Sequence, residues 1–554
     1  MRFFCAWGAL LIFGVGAAAQ PSIANVMSGV SGNSEVLPNR AIAQGSIFVI
    51  TGSGLGPTSL AIDPKPFQDT TLAGTFVTVT VGSSTVNVPM YYTSSGKVAA
   101  LMPSTTPTGT GTVAVTYVGQ ASSTAPITVV QNDPGIYTFT SDGMGIGIVT
   151  YPDYSLVSPY KAANCGGPDT FCGAANPGDV LTIWANGLGP VNNELSGGGL
   201  GVPMNLQLTV WLGGQSITPT YQGRSGCCIS EDQIVFTVPS GVPTGCAVPL
   251  ALKVGSTISN YTAIPVSNGS RSCTPASPML TSSVVQTLTS SSAPINYGQI
   301  SLRRQLASAG NGLQYADVAT GSFAKVTVDP AEVGQVQPLL LSYLDTEPLG
   351  TCVVANSLTG SSSPAWISTT NGIDAGRITV AGPAGSQILT EHAGFGQPTQ
   401  YVATLSASGT YLSGGKYTVL AAGGNDVQSF NTGFTVTSTP SWPSSEQFTV
   451  SNGVNRTNGV TINWINGSEN YFVEIAGRGA TDNTLTTGAS FSCVVPSSLN
   501  TFTVPPSVLL AMPSSAYGEI DFKPTLVPVP ISASGLTFGS VTLNYQTTLF
   551  PPYQ

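Results

Sequence analysis

Few side chains in this sequence are suited to acid, base or nucleophilic work. There is one histidine, His392. A Ser-His-Asp relay needs an imidazole to take the serine proton, so such a hydrolase would have to use His392. No Gly-x-Ser-x-Gly nucleophile elbow occurs in the sequence. Glu391-His392 falls in a Gly-rich connection between strands and reads as an exposed pair. A single histidine also excludes a His-rich metal centre.

Glycosidic cleavage needs two carboxylates flanking one bond. Acids are sparse, and three close pairs stand out: Glu231-Asp232, Asp345-Thr-Glu347 and Glu519-Ile-Asp521. Alternate positions on a strand place both carboxylates on one face. These pairs are expected on solvated faces. A weak calcium site using them with backbone carbonyls is the competing reading. The loop Gly52-Ser-Gly54-Leu-Gly56 resembles part of a dinucleotide fingerprint, but Pro57 and a polar stretch follow where a helix should begin. Gly143-Met-Gly-Ile-Gly147 fails as a phosphate loop for the same reason. No catalytic residue, cofactor or metal site is assigned.

Aromatic side chains could stack on sugar rings. Trp184, Trp211, Trp366, Trp442 and Trp464 are the tryptophan candidates, and Trp184 and Trp211 lie in β-rich runs that suit a sandwich core. Tyr151, Tyr154 and Tyr160 are interleaved with Pro and Asp, which favours exposure. They are the expected contact surface.

Cysteine usage points outward. Residues 1–19 read as a secretory leader: Arg2, an apolar run from Phe3 to Val15, then Ala17-Ala18-Ala19 before Gln20. The apolar run is short for a membrane span, which needs about 20 residues. Cys5 leaves with the leader and has no lipobox around it. Eight cysteines then remain, an even count that suits disulfides in an oxidising compartment. Cys165–Cys172 and Cys246–Cys273 are the expected bridges. The pairing of Cys227, Cys228, Cys352 and Cys493 is left open. Cys227 and Cys228 are adjacent, and because a bridge between neighbours is strained, partners elsewhere stay open as the alternative to a bridge between the two.

The elements that would carry these residues are strands. Only 7% of residues are charged, against about 25% in ordinary globular domains. Gly and Pro are plentiful, which suits many turns. Phe76-Val-Thr-Val-Thr-Val81 alternates valine and threonine, the period of a half-buried strand. One stretch occurs twice: Gly45 to Pro57 and Gly178 to Pro190 are each a β-rich run ending in Gly-Leu-Gly-Pro. The order recurs beyond it. Lys97–Pro103 is matched by Gln233–Pro239, and Pro107-Thr-Gly109 by Pro243-Thr-Gly245. The front half is therefore an internal duplication. No long amphipathic helix is expected. A single helical turn bounded by Pro505-Pro506 and Pro513 is the exception. Asn466-Gly467 predicts a hairpin between Val460–Ile465 and Tyr471–Ile475.

The repeated strand with Gly-Leu-Gly-Pro, the strand ending in Gly-Gly and the later Pro-Thr-Gly resemble TIG-like immunoglobulin-fold modules. With Pro134-Gly-Ile-Tyr-Thr-Phe and Gly143-Met-Gly-Ile-Gly147, they are similar to the Solibacter-type C-terminal domain family of exported bacterial proteins, over about residues 21–273. Here the stretch begins the chain, whereas that family usually ends one. The resemblance implies immunoglobulin-like sandwiches and a secreted or surface setting. It carries no catalytic residues.

The expected architecture is all-β, a tandem of immunoglobulin-like β-sandwich domains. The units are 21–131, 132–273, 281–438 and a β-rich C-terminal domain, 439–554, with a Pro-rich linker at 274–280. The formal charge is −9, and no basic stripe appears. Nucleic acid is therefore a poor partner. No later segment is long and apolar enough to form an integral membrane span. The expected function is that of a secreted or cell-surface, non-catalytic binding or structural protein, of adhesion or envelope-spacer type, with an unknown protein or polysaccharide ligand. A carbohydrate-binding module array is one alternative and an extracellular hydrolase of unrecognised type is another.

Overall fold

The computed structural model describes residues 20–31, 38, 40–65, 67–196, 201–290, 294–309, 312–328, 333–358, 367–392, 398–443 and 453–554. The expected leader, residues 1–19, and Trp366 lie outside them. The chain is all-β and built of stacked antiparallel sandwiches. Strand Thr75–Val81 shows why. Val77, Val79 and Val81 point into the core while Thr78 and Thr80 face out. Thr80 and Thr85 hydroxyls meet at 3.0 Å across the hairpin. Burying each valine contributes about 1.5–3 kcal/mol, and the outward threonines keep that face wettable.

In the first module, one sheet runs Ser22–Ser28, Ile47–Ser53, Lys97–Leu101, Met90–Thr93 and Ala61–Ile62. The facing sheet centres on Gly109–Tyr117 between Thr75–Val81 and Ala125–Val130. The second module repeats these pairings. Val180–Asn186 lies against Asp232–Thr237 as Ile47–Ser53 lies against Lys97–Leu101. Leu208–Leu212 lies against Gly245–Val254 as Thr75–Val81 lies against Gly109–Tyr117. Leu55 and Leu188, the leucines of the two Gly-Leu-Gly-Pro copies, are both fully buried. Gly187 has φ +88°, and a Cβ there would sit 2.1 Å from the Asp133 carbonyl oxygen. Only glycine fits that approach.

The C-terminal half departs from the expected division at 438/439. One eleven-stranded sheet runs through both units. Ile295–Ala309 pairs in parallel with Phe538–Tyr545, and Thr351–Ala355 pairs with Gly488–Pro496. Two cores remain. One gathers around Phe323, Tyr401 and Tyr417, and the other around Trp464, Phe491 and Phe522. The sheet spans both, and Cys352–Cys493 bridges facing register partners on two of its strands. The long hairpin of Ile295–Ala309 and Gly312–Val328 was not anticipated, because runs such as Leu302-Arg-Arg-Gln-Leu306 mask the period of two.

One further expectation fails locally. Asn466-Gly467 makes no hairpin. Asn466 does take φ +62°, but Val460–Asn463 pairs with Thr501–Val504, while Tyr471–Ala480 joins the large sheet. The turn carries the chain from one sheet to another, and Gly467 lies so close to the Ser497 carbonyl that a Cβ would reach it at 1.9 Å. Beyond the turn Pro506–Ala511, two helices occur, Ser282–Ser290 and Val333–Leu344. The second buries three consecutive leucines, Leu339 to Leu341, a run that no narrow apolar stripe would give. The segment 274–280 is held rather than free. The Asp345 carboxylate accepts N–H groups from Cys246, Ala276 and Ser277 at 3.1, 2.9 and 2.8 Å. Among the described residues, no helix is long and apolar enough to cross a membrane.

Candidate functional site

The two front modules are locked at a fixed angle by a buried polar joint. Asn186 ends the second copy of the repeated strand, and its side-chain oxygen accepts the Ile47 N–H of the first copy at 3.2 Å. Ser230 donates to the Gly45 carbonyl at 2.8 Å. Glu194 accepts the Ser104 N–H at 2.7 Å and its hydroxyl at 2.5 Å. Behind these lies an ion pair, Arg224–Asp232, at 2.7 Å, with the two side chains 1% and 0% exposed. Arg224 also donates to the Gly189 carbonyl, and Asp232 accepts the Leu188 N–H at 2.8 Å. The second Gly-Leu-Gly-Pro turn is thus braced within its own module, directly behind the contacts that cross the joint. Asp232 is raised to about 6 by burial, with Arg224 opposing the rise.

Beside the joint the modules face one another across a cleft of about 1030 Å³. The first module contributes Phe67, Tyr91 and Tyr92. Ring centroids lie 5.3 Å apart for Phe67–Tyr91 and 5.5 Å for Tyr91–Tyr92. The second contributes Tyr154 and Trp184, 6.2 Å apart. The Trp184 indole N–H is committed inward, to the Thr150 hydroxyl at 3.0 Å. Lys97, Asp169 and Glu231 are the charged side chains on the lining. Burial, then the charge of Asp232, raises the Glu231 carboxyl.

Two disulfides fasten the loops over this cleft. Cys165–Cys172 closes the loop that carries Pro168 and Asp169. Its Gly167 N–H donates to Asp153 at 3.3 Å, and Asp153 accepts the Ser155 N–H at 3.0 Å. That ties the loop to the turn presenting Tyr154. Cys227 and Cys228, whose pairing the sequence leaves open, are bridged to each other on the opposite rim. The chain turns back on itself there: Cys228 N–H returns to the Ser225 hydroxyl at 3.2 Å. No other cysteine pairs with either, because Cys246–Cys273 and Cys352–Cys493 take the remaining four.

Backbone strain gathers at the same place. Phe67, Ser141, Tyr154 and Asp169 all line the cleft, and all adopt left-handed φ, from 55° to 65°. Such positions cost of order 1–3 kcal/mol each for residues other than glycine. Tyr154 is held there with its side chain 55% exposed.

The three flagged tyrosines therefore separate. Tyr154 lies on the cleft. Tyr151 turns inward, its ring 5.0 Å from the Arg271 guanidinium and its hydroxyl donating to the Gly173 carbonyl. Tyr160 is half-buried and does not line the cleft. Trp184 is buried yet lines the cleft. Trp211 packs against the C-terminal core rather than that of its own sandwich, a core that also buries Trp442 and Trp464. His392 and Glu391 are exposed on the short strand Thr390–His392. The acidic pairs are not solvated as expected: Asp232 and Asp521 are buried. Asp521 accepts from Gln546 and Thr548, and Asp345 is taken up by three backbone amides. Phe67, Tyr91 and Tyr92 were missed. Adjacent Tyr91-Tyr92 in a Val/Thr-rich module was the available signal, since neighbours on a strand cannot both face the core.

No family model matches the chain, and no curated protein matches it. Solved structures with similar sandwiches include SGBP-B from a complex xyloglucan utilization locus in Bacteroides uniformis, at 11% identity and TM-score 0.17, covering 69% of this chain and 86% of that one. The I9–I11 tandem of titin matches at 8% identity and TM-score 0.13, covering 71% and 93%. Domains 5–6 of the S-layer protein SbsC match at 10% identity and TM-score 0.16, covering 45% and 100%. None of these scores reaches a shared overall arrangement, and nothing is carried from those proteins to this one.

Proposed function

We propose that this is an exported, non-catalytic binding protein that seats its ligand in the cleft between its first two modules. One observation carries the reading: four strained non-glycine residues and two aromatic clusters converge on a single cleft whose walls are fixed by a buried joint. Strain of this kind persists only where surrounding structure over-determines it, and it favours functional surfaces. Four disulfides suit an oxidising compartment outside the cytoplasm. Aromatic clefts with few polar groups are general ligand sites. The C-terminal half serves as the base on which the pair of modules is carried. The adhesion and envelope-spacer readings differ from this only in what lies at the other end.

The test is titration of the full chain with neutral polysaccharides, acidic polysaccharides and Pro-rich peptides, read by tryptophan fluorescence. One class should bind, Tyr154→Ala should weaken it, and no product should appear on prolonged incubation. Sustained release of product would overturn the non-catalytic assignment. Binding that ignores both Tyr154→Ala and Phe67→Ala would remove the cleft as the site.

A further inference from the structure

We infer that the occupant of the cleft is a neutral glycan, a run of pyranose rings lying across the facing aromatic clusters. This rests on the binding role proposed above and adds the ligand class. From opposite modules, the half-buried Tyr91 and Tyr92 and the 55% exposed Tyr154 line the cleft, each backed by a buried ring, Phe67 on one side and Trp184 on the other. A pyranose ring carries C–H groups on its faces and hydroxyls round its edge. It can therefore cover an aromatic face and still hydrogen-bond sideways.

The polar groups match such a ligand. Asp169 and Glu231 are carboxylates on the lining, and ionised carboxylates only accept hydrogen bonds. They call for donors, which sugar hydroxyls supply. A Pro-rich peptide also suits aromatic grooves, but it offers mainly carbonyl acceptors and needs donors from the protein. The Trp184 N–H is committed to Thr150, which leaves the tyrosine hydroxyls and Lys97 as the donors for such a peptide. A phosphate-bearing or acidic polymer fares worse. Among the described residues, Lys97 is the one cation on the lining, against two carboxylates, in a chain of formal charge −9. The platforms are also set in advance. Cys165–Cys172 and Cys227–Cys228 hold the two rim loops, so little chain has to be ordered on binding.

The experiment uses the intact chain with its disulfides. Probes are a soluble mixed-linkage glucan, a xylan and a mannan as neutral glycans, polygalacturonate as the acidic one, and a Pro-rich decapeptide, each measured by isothermal titration at low and high salt. At least one neutral glycan should bind with an affinity nearly independent of salt. Tyr154→Ala and Tyr91→Ala should each weaken it by about tenfold or more, the scale of losing one stacked ring. Tyr154→Phe should retain it. The variants are judged only where circular dichroism and the melting profile match the parent. If the neutral glycans fail and the peptide or polygalacturonate binds in a Tyr154-dependent way, the glycan assignment is overturned while the cleft stands as the binding site. If a glycan binds equally to all variants, the cleft itself is refuted. If no probe binds, the glycan assignment is overturned.

Discussion

Replacing Arg224 with methionine should open the joint between the front modules without touching the cleft. The two side chains of the pair are 1% and 0% exposed, so water cannot replace the lost guanidinium. Methionine keeps much of the apolar stem. Asp232 then retains the Leu188 N–H but loses its counter-charge, and the Gly189 carbonyl loses its donor. Breaking a buried pair from one side costs about 3–5 kcal/mol. Neutralisation limits that loss. Asp232 is already raised to about 6, and without Arg224 it rises further and takes up a proton near neutral pH. The expected cost is therefore about 3 kcal/mol, larger at pH 8 than at pH 5. Arg224→Met with Asp232→Leu removes both charges. It should be less damaging than Arg224→Met alone, leaving two unmet backbone groups at about 1 kcal/mol or more each. Hydrogen exchange of peptides covering 180–191 reads this opening directly. The single variant should speed exchange there by about a hundredfold, since each 1.4 kcal/mol is a factor of ten. Ligand affinity should fall with it, although no cleft side chain has changed. A change below about tenfold in the single variant, or a double variant worse than the single, would refute the account of the joint.

Two further outcomes concern the C-terminal half. Glu519 is pushed up to about 7 from its ordinary 4.5 by burial and by the charge of Asp521, so the folded chain holds that proton more tightly than the unfolded one. Its contribution to stability is complete below about 4.5 and is lost as pH rises through about 7. Tm should fall between pH 5 and pH 8, and Glu519→Gln should flatten that slope. The bridge Cys352–Cys493 joins strands 141 residues apart in sequence. Replacing both cysteines by serine should cost about 2–5 kcal/mol, seen as a lower melting transition with cleft binding unchanged. An unaltered melt would mean that the shared sheet needs no staple.

The strands and the front duplication were legible because their causes are local. The valine–threonine alternation of Thr75–Val81 is a period-two pattern on one segment, and the paired Gly-Leu-Gly-Pro turns both take a positive φ at their first glycine, Gly54 and Gly187. The Asn466-Gly467 turn was legible as a turn but not as a hairpin. A positive φ is a property of two residues, while the partners of the flanking strands lie elsewhere in the chain. Tyr151 and Tyr154 looked alike in an irregular loop with no period to say which way each side chain points. Arg271, far along the sequence, claims Tyr151 and leaves Tyr154 to the cleft.

The sequence by itself determined that this chain is built of strands, that its front half is one module written twice, and that eight of its cysteines, an even number, lie from residue 165 onward. Tertiary structure alone decided that Phe67 and Tyr91 face Tyr154 and Trp184, that Cys227 closes on Cys228, and that one sheet runs through the whole C-terminal half. The physical reason is range. Periodicity and turn chemistry act over a few residues, whereas those juxtapositions depend on buried contacts such as Asn186 to Ile47 and Ser230 to Gly45, whose partners the chain brings together only when it folds.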